Sequence, residues 1–309
     1  MSPDDLNKIL FYSLSGIAYA FAIPFFYIAI FKSPSSLRVY RNTLLNLAIW
    51  YCIAMGTYSI LFQPMYTAFE TKSCARIDGL ISHFRLEFQI TVMFLSVISM
   101  ENLALTMLIC FFYRYEQMRP VNSGRFLHSW KGLLICLVMH VTISIFAGCF
   151  FYVFLRNGEI IELNGKFLFC ADDRNYDIVK KLSLFVIFLF IVQAFAGLTL
   201  AVMTIKRMRC QKALMTMQTY RLQQRLTINL VVLTVLPILF DVIPICILCF
   251  MIYVKADSLY LWVSLVGHTP IADLILTFVV TLLFVTPYRE AVKRMLRMTN
   301  VVTPAISFH

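Results

Sequence analysis

Three carboxylic acids stand in otherwise apolar surroundings: Glu101, Asp241 and Asp273. An ionised acid at the centre of a bilayer costs about 3 kcal/mol on insertion scales, so such a group is paired, hydrated or protonated. The chemistry open to it is contact with a ligand, an ion site or a proton-linked switch. The plainer alternative is a protonated acid hydrogen-bonded between helices. Two histidines, His140 and His268, also lie in apolar runs. Neither has more than one further ligating residue at helical spacing, so no metal site is expected of them. Nine cysteines form no metal-ligand pattern, and Cys246 and Cys249, inside one apolar run, read as small packing residues. No H-E-x-x-H, no G-x-S-x-G and no phosphate-binding glycine loop occurs. These residues point to binding and switching, away from an enzyme, and imply no cofactor.

The element that must position such groups is the stretch 88–114, FQITVMFLSVISMENLALTMLICFFYR. Its first 26 residues are almost wholly apolar, and about 20 suffice to cross a bilayer as a helix. Within it Gln89, Ser96, Ser99, Asn102 and Thr106 recur at steps of 7, 3, 3 and 4. That spacing keeps them within one half of a helix. Lipid cannot satisfy hydrogen-bonding groups, so the polar half should face other protein. Glu101 lies about 100° or more off that stripe, toward a different neighbour.

The whole chain is 60% hydrophobic and 14% charged, against about half and a quarter in soluble domains. Seven apolar runs, 9–31, 42–62, 88–113, 132–155, 182–205, 226–253 and 261–285, are each long enough to span a membrane. The longest connection between them is 26 residues, which leaves no room for a soluble domain. One all-α seven-transmembrane domain over 1–309 is expected, with 286–309 as a tail. The loops 32–41, 114–131, 206–225 and 286–309 hold 17 basic residues and only Glu116 and Glu290 as acids. The other side holds 10 basic and 11 acidic residues. The basic side is therefore expected in the cytoplasm and the N-terminus outside. The net charge of +11 reads as a topology signal and argues against nucleic acid as a partner. The start, MSPDDLNK, has no basic n-region, so the first span reads as a retained anchor.

In the loop 156–181, Asn164-Gly165 between two short β-prone runs predicts a hairpin. Cys170 at its end and Cys74 in the loop 63–87 are the two cysteines placed on the oxidising side. They can pair in a disulfide, or remain two separate thiols, because the sequence does not place them close. The sixth span holds Pro237, Asp241 and Pro244, and each proline removes a backbone donor and predicts a bend. The seventh carries Thr269, Asp273, Thr277 and Thr281 at steps of four, a polar ridge turned to the bundle. Beyond it Tyr288, Val292, Met295 and Leu296 share a face, with Arg289, Lys293, Arg294 and Arg297 largely elsewhere, so a short amphipathic helix on the inner leaflet is expected. The loop 206–225 has six cations and no anion. It can attract anionic lipid, worth about 1 kcal/mol per basic residue, and can dock a cytoplasmic partner.

Several stretches together resemble nematode serpentine chemoreceptors, of the superfamily containing classes H, I, J, D and Str. They are KSPSSLRVYRNTLLN after the first span, CFFYRYEQM ending the third, TYRLQQRLTINL entering the sixth, LPILFDVIP within it, and HTPIADLILTFVV and TPYREAVKRM in and after the seventh. The resemblance covers essentially the whole chain, with class H the first choice and class I the second. It implies a G-protein-coupled receptor for environmental chemicals in the plasma membrane, specifically the ciliary membrane of chemosensory neurons. Its partners would be a small-molecule ligand, a heterotrimeric G protein and membrane lipid. Coupling would involve Arg114, Tyr115, Arg221, Arg225, Pro287, Tyr288 and Arg289. Ligand contact would involve Gln89, Ser96, Ser99, Asp241, His268 and Asp273. Arg114 follows Tyr113, where many G-protein-coupled receptors have an acid, and no cysteine lies near Gln89. An odorant-gated channel and a small-solute transporter are the competing readings. Such a channel would put its N-terminus on the basic side, and a transporter would show repeats with matched broken helices.

Overall fold

The computed structural model describes residues 3–34, 37–69, 72–117, 130–163, 165–171, 176–214, 216–254 and 259–301. Among these, seven helical stretches are long and apolar enough to cross a membrane. They are α1 (Pro3–Phe31), α2 (Arg38–Met55) continued by a π-helical turn (Gly56–Phe62), α3 (Leu86–Gln117), α4 (Trp130–Arg156), α5 (Tyr176–Cys210), a composite, and α8 (Leu259–Phe284). The composite joins α6 (Met217–Pro237) through a π-helical turn (Ile238–Val242) to α7 (Ile243–Val254). The seven apolar runs fall inside these helices, except that Val285 forms the bend before α9 (Thr286–Val301). The helices run past the apolar runs because flanking polar residues still close backbone hydrogen bonds beyond the apolar limit.

In the sixth span the prolines flank a change of helix type. Pro237 ends α6, the path widens over Ile238–Val242, and Pro244 stands as the second residue of α7. A π turn is one way a helix accommodates a missing N–H without breaking.

A four-stranded antiparallel sheet caps one end of the bundle, an element the all-α expectation lacks. β1 (Pro64–Phe69), β2 (Lys72–Ile77), β3 (Gly158–Leu163) and β4 (Lys166–Ala171) lie in the order β1-β2-β4-β3. The hairpin of β3 and β4 falls where Asn164-Gly165 places it. Gly165 has φ +72°, which only a residue without Cβ adopts readily, and Asn164 lies outside the described residues. β1 begins at a sharp corner on Gln63, which has φ 39° and is wholly buried. Its amide donates to Tyr58 O, its side-chain Nε2 donates to Ser59 O at 2.8 Å, and its carbonyl accepts from the Asp78 amide. Those bonds hold a left-handed conformation that a side chain normally resists.

The main core joins α1, α2, α3, α6 and α8 around Tyr51, Phe111, Phe25, Phe278 and Tyr288, all fully buried. α4 is a peripheral span: Leu133, Leu137, Val138 and Ile145 are exposed, and it packs mainly on α3. α9 is amphipathic, with Arg289, Glu290, Lys293 and Arg294 exposed. Its Tyr288, Ala291, Val292 and Met295 pack against the main core, so the apolar face expected on the inner leaflet is spent largely on the bundle. The side chains of Leu296 and Arg297 lie outside the described residues.

Candidate functional site

The polar stripe of α3 is buried along its length: Gln89, Ser96, Ser99, Asn102 and Thr106. Ser99 Oγ donates to Ser96 O at 2.9 Å and lies 3.3 Å from Thr57 Oγ1 of the π turn after α2. Gln89 is committed elsewhere, its Nε2 donating to Phe84 O at 2.9 Å and Ser82 O at 3.3 Å in the turn before α3. Glu101, off the stripe, accepts from Gln193 Nε2 of α5 at 3.2 Å. His268 packs its ring on Phe11 at 4.3 Å between centroids and lies 2.6 Å by Nδ1 from Ser264 O.

Asp241 and Asp273 do meet. Asp273 is fully buried and accepts from Tyr51 Oη at 2.6 Å. The two carboxyls lie close enough to interact electrostatically. One oxygen of each, Asp241 Oδ1 and Asp273 Oδ1, is buried with no hydrogen-bond partner among the described residues. The pair therefore links the π turn of the sixth span to α8 and, through Tyr51, to α2. Tyr51 escaped the sequence reading, because a tyrosine in an apolar run gives no local sign of a partner 222 residues away.

At the opposite end from the sheet, Arg114 is buried at the close of α3. Its Nη2 donates to Gln223 O of α6 at 2.9 Å and its Nη1 to Gln117 Oε1 at 3.2 Å, while Nε has no partner among the described residues. Arg225, two residues further along α6, donates to Thr286 Oγ1 at the start of α9. Tyr288 is fully buried, with its Oη 3.4 Å from Ser33 Oγ beyond α1. Tyr115 carries the Arg207 guanidinium over its ring at 5.8 Å. Arg221 and Arg289 are exposed, and Pro287 is half-buried. Arg114, Arg225 and Tyr288 thus lock α3, α6 and the start of α9 into one end of the bundle.

The sheet end is held by a different chemistry. Cys74 and Cys170 face each other across β2 and β4 and are joined in a disulfide, with Cα atoms 4.0 Å apart. Asp78 has a buried side chain that receives Lys166 Nζ at 2.7 Å and Arg76, and Lys8 of α1 stands 3.8 Å away. Arg76 also reaches Asp4 at 2.7 Å. Burial alone would raise the Asp78 carboxyl, but the Arg76 and Lys166 bonds outweigh it and hold it below its ordinary value. Burial would lower the Arg76 guanidinium, and its two acids overcome that and raise it.

Residues 2–298, nearly the whole chain, match the family model described as serpentine type 7TM GPCR chemoreceptor Srh. The chain belongs to that family. Srh is the class H of the resemblance, and the seven spans follow the order it implies. No curated protein matches the chain. For an Srh chemoreceptor the geometry offers three places for function: the polar interior around Tyr51, Asp241 and Asp273, the basic end around Arg114, and the sheet over the opposite mouth of the bundle.

Proposed function

We propose that this Srh chemoreceptor binds a small, largely apolar environmental molecule from the outward side of its bundle and activates a heterotrimeric G protein from its basic side. The sheet and N-terminus then lie outside the plasma membrane, with the loops 32–41, 114–131 and 206–225 and α9 in the cytoplasm. In this reading the plasma membrane is the ciliary membrane of a chemosensory neuron, a placement that the chemoreceptor family supports. The observation that carries the reading is the bond from buried Arg114 to a backbone carbonyl of α6. A G protein needs a cleft between the ends of α3 and α6, and this bond holds such a cleft shut.

Ligand binding acts as a population shift. A molecule that binds better to the arrangement with α6 displaced supplies the difference in affinity that breaks the Arg114 contact. The acid pair is suited to relay this, since Asp241 sits in the π turn above α6 and Asp273 on α8. Released from Gln223, the guanidinium fork becomes free to donate to the partner.

Two measurements in the same cells test the reading. An N-terminal epitope is expected to be accessible on intact cells; detection only after permeabilisation would instead favour an odorant-gated channel. Arg114→Lys keeps the charge but loses the planar fork, so normal surface expression with reduced G-protein activation is expected. Full signalling by that variant would reduce Arg114 to a topology-setting cation and defeat the coupling role.

A further inference from the structure

A groove of about 800 Å³ opens between α3 and α4, with Trp50 of α2 on its wall. Its lining is apolar apart from the group Asn102, His140 and Ser144 and the exposed side chains of Tyr152 and Cys149 nearer one end of α4, and it contains no lysine, arginine or acid. The hydrogen bonds of that group are fully determined. Asn102 Nδ2 donates to Ile98 O at 2.8 Å and to Ser144 Oγ at 2.9 Å. Ser144 Oγ spends its own proton on His140 O at 2.7 Å. Asn102 Oδ1 can only accept, so His140 Nδ1, 2.6 Å away, is the donor. A neutral histidine with its proton on Nδ1 has a bare lone pair on Nε2. That atom takes no hydrogen bond among the described residues and, unlike Nε2 of His268, is not buried. Trp50 stacks on the imidazole at 5.4 Å and 17°, which keeps the ring from turning away.

An unsatisfied acceptor on a lipid-facing wall is costly, because hydrocarbon has no donor to give it. The groove therefore holds one fixed acceptor in need of an O–H or N–H donor, set in a mainly apolar wall of ligand-binding size. Its depth narrows the choice further. His140 is the eleventh of the 27 residues of α4, about 15 Å from one end and about 24 Å from the other. A sterol or phospholipid anchored by its headgroup keeps its polar atoms at the membrane surface, far from Nε2. A small, flexible alcohol or phenol exchanges readily across the bilayer interior and does not have that restriction.

We infer that this groove is a second, laterally entered binding site for neutral, lipid-soluble alcohols or phenols that partition into the membrane, recognised by donation of their hydroxyl to His140 Nε2. The site itself does not depend on G-protein coupling; only its use in chemosensation rests on the proposed function.

The test is photolabelling of the full chain in phospholipid nanodiscs, using decanol carrying a diazirine, the methyl ether of the same probe, and mass-spectrometric mapping. The alcohol is expected to label α3 and α4 around the groove about tenfold more than the ether, which lacks the donor. His140→Phe should bring alcohol labelling down to the ether level. Equal labelling by alcohol and ether in the wild-type chain overturns the proposal without recourse to any variant, as does labelling mapped elsewhere. Undiminished labelling of His140→Phe overturns the role of Nε2. Cholesterol in the nanodisc is expected to leave labelling unchanged, and displacement by it would make the site one for resident sterol. Because the readout is binding, a failure of coupling leaves this result standing, and the reverse also holds.

Discussion

The two ends of the bundle are closed by different kinds of force. At the sheet end a disulfide, four paired strands and a buried carboxylate with three cations around it tie α1, β2 and β4 together. At the basic end α3, α6 and α9 share apolar packing, and their polar ties are single hydrogen bonds from Arg114 and Arg225, with Tyr288 against Ser33. A covalent link and a buried ionic cluster together cost several kcal/mol to open, whereas one hydrogen bond from a charged group costs about 2. The difference teaches which end can change shape within reach of a ligand's binding energy: the basic one.

The strongest way to break this contrast is to remove the covalent tie. Replacing both Cys74 and Cys170 by serine opens a link between residues 96 apart in sequence. A loss of about 4 kcal/mol is expected, measured as a lower melting temperature in nanodiscs. A shift indistinguishable from zero would make the two ends equivalent.

A close approach of backbone gives the next largest effect. A Cβ on Gly79 would meet the backbone of Leu61, with the Ile60 carbonyl only 3.0 Å away. Backbone cannot move aside as a flexible side chain can, so Gly79→Ala should cost about 3 kcal/mol. Proteolysis of the β1–β2 region should increase, while Gly165, with open space around it, is constrained only by its φ.

Acid should loosen the same end by about 2 kcal/mol. The Asp78 carboxyl is held below its ordinary value, so its stabilisation is complete above the unfolded value and is lost as pH falls through the folded one. Melting temperature should therefore drop as pH falls below the ordinary carboxylate range, and Asp78→Asn should flatten that slope. A wild-type slope that survives Asp78→Asn would assign it to other acids.

The smallest effect sharpens the contrast. Arg114→Lys removes a geometry worth about 1 kcal/mol or less in stability, so its melting temperature should stay close to wild type even where its signalling falls. A melting loss as large as that of the cysteine variant would show that the basic end is also a clamp.

Much of this fold is legible in the residues. Apolar runs longer than a bilayer is thick can hardly be anything but spans, and the stripe from Gln89 to Thr106 indicates which face of α3 is inside. Asn164-Gly165 marks its hairpin because the backbone conformation there has few residue solutions. β1 and β2 leave a weaker trace: PMYTAF and KSCARI are short and lack strict alternation, and the corner on Gln63 that leads into β1 has no glycine to announce it. The π turns are equally silent, since they have no composition of their own. In the interior, Asp241 and Asp273 are conspicuous as acids among apolar residues, but their contact with each other and with Tyr51 is a product of packing. His140 and Ser144 stand four apart and so share a face of α4, a readable ridge whose meaning depends on finding Asn102 opposite.

The disulfide also changes what kind of object the chain is. Joining Cys74 to Cys170 makes a closed ring that contains the whole of α3 and α4. A peptide bond cut anywhere inside that ring leaves one covalent molecule, and two fragments part only after reduction. The spans that carry Arg114 and the lateral groove therefore form a loop with no loose end, and the rest of the receptor hangs from it as two tails.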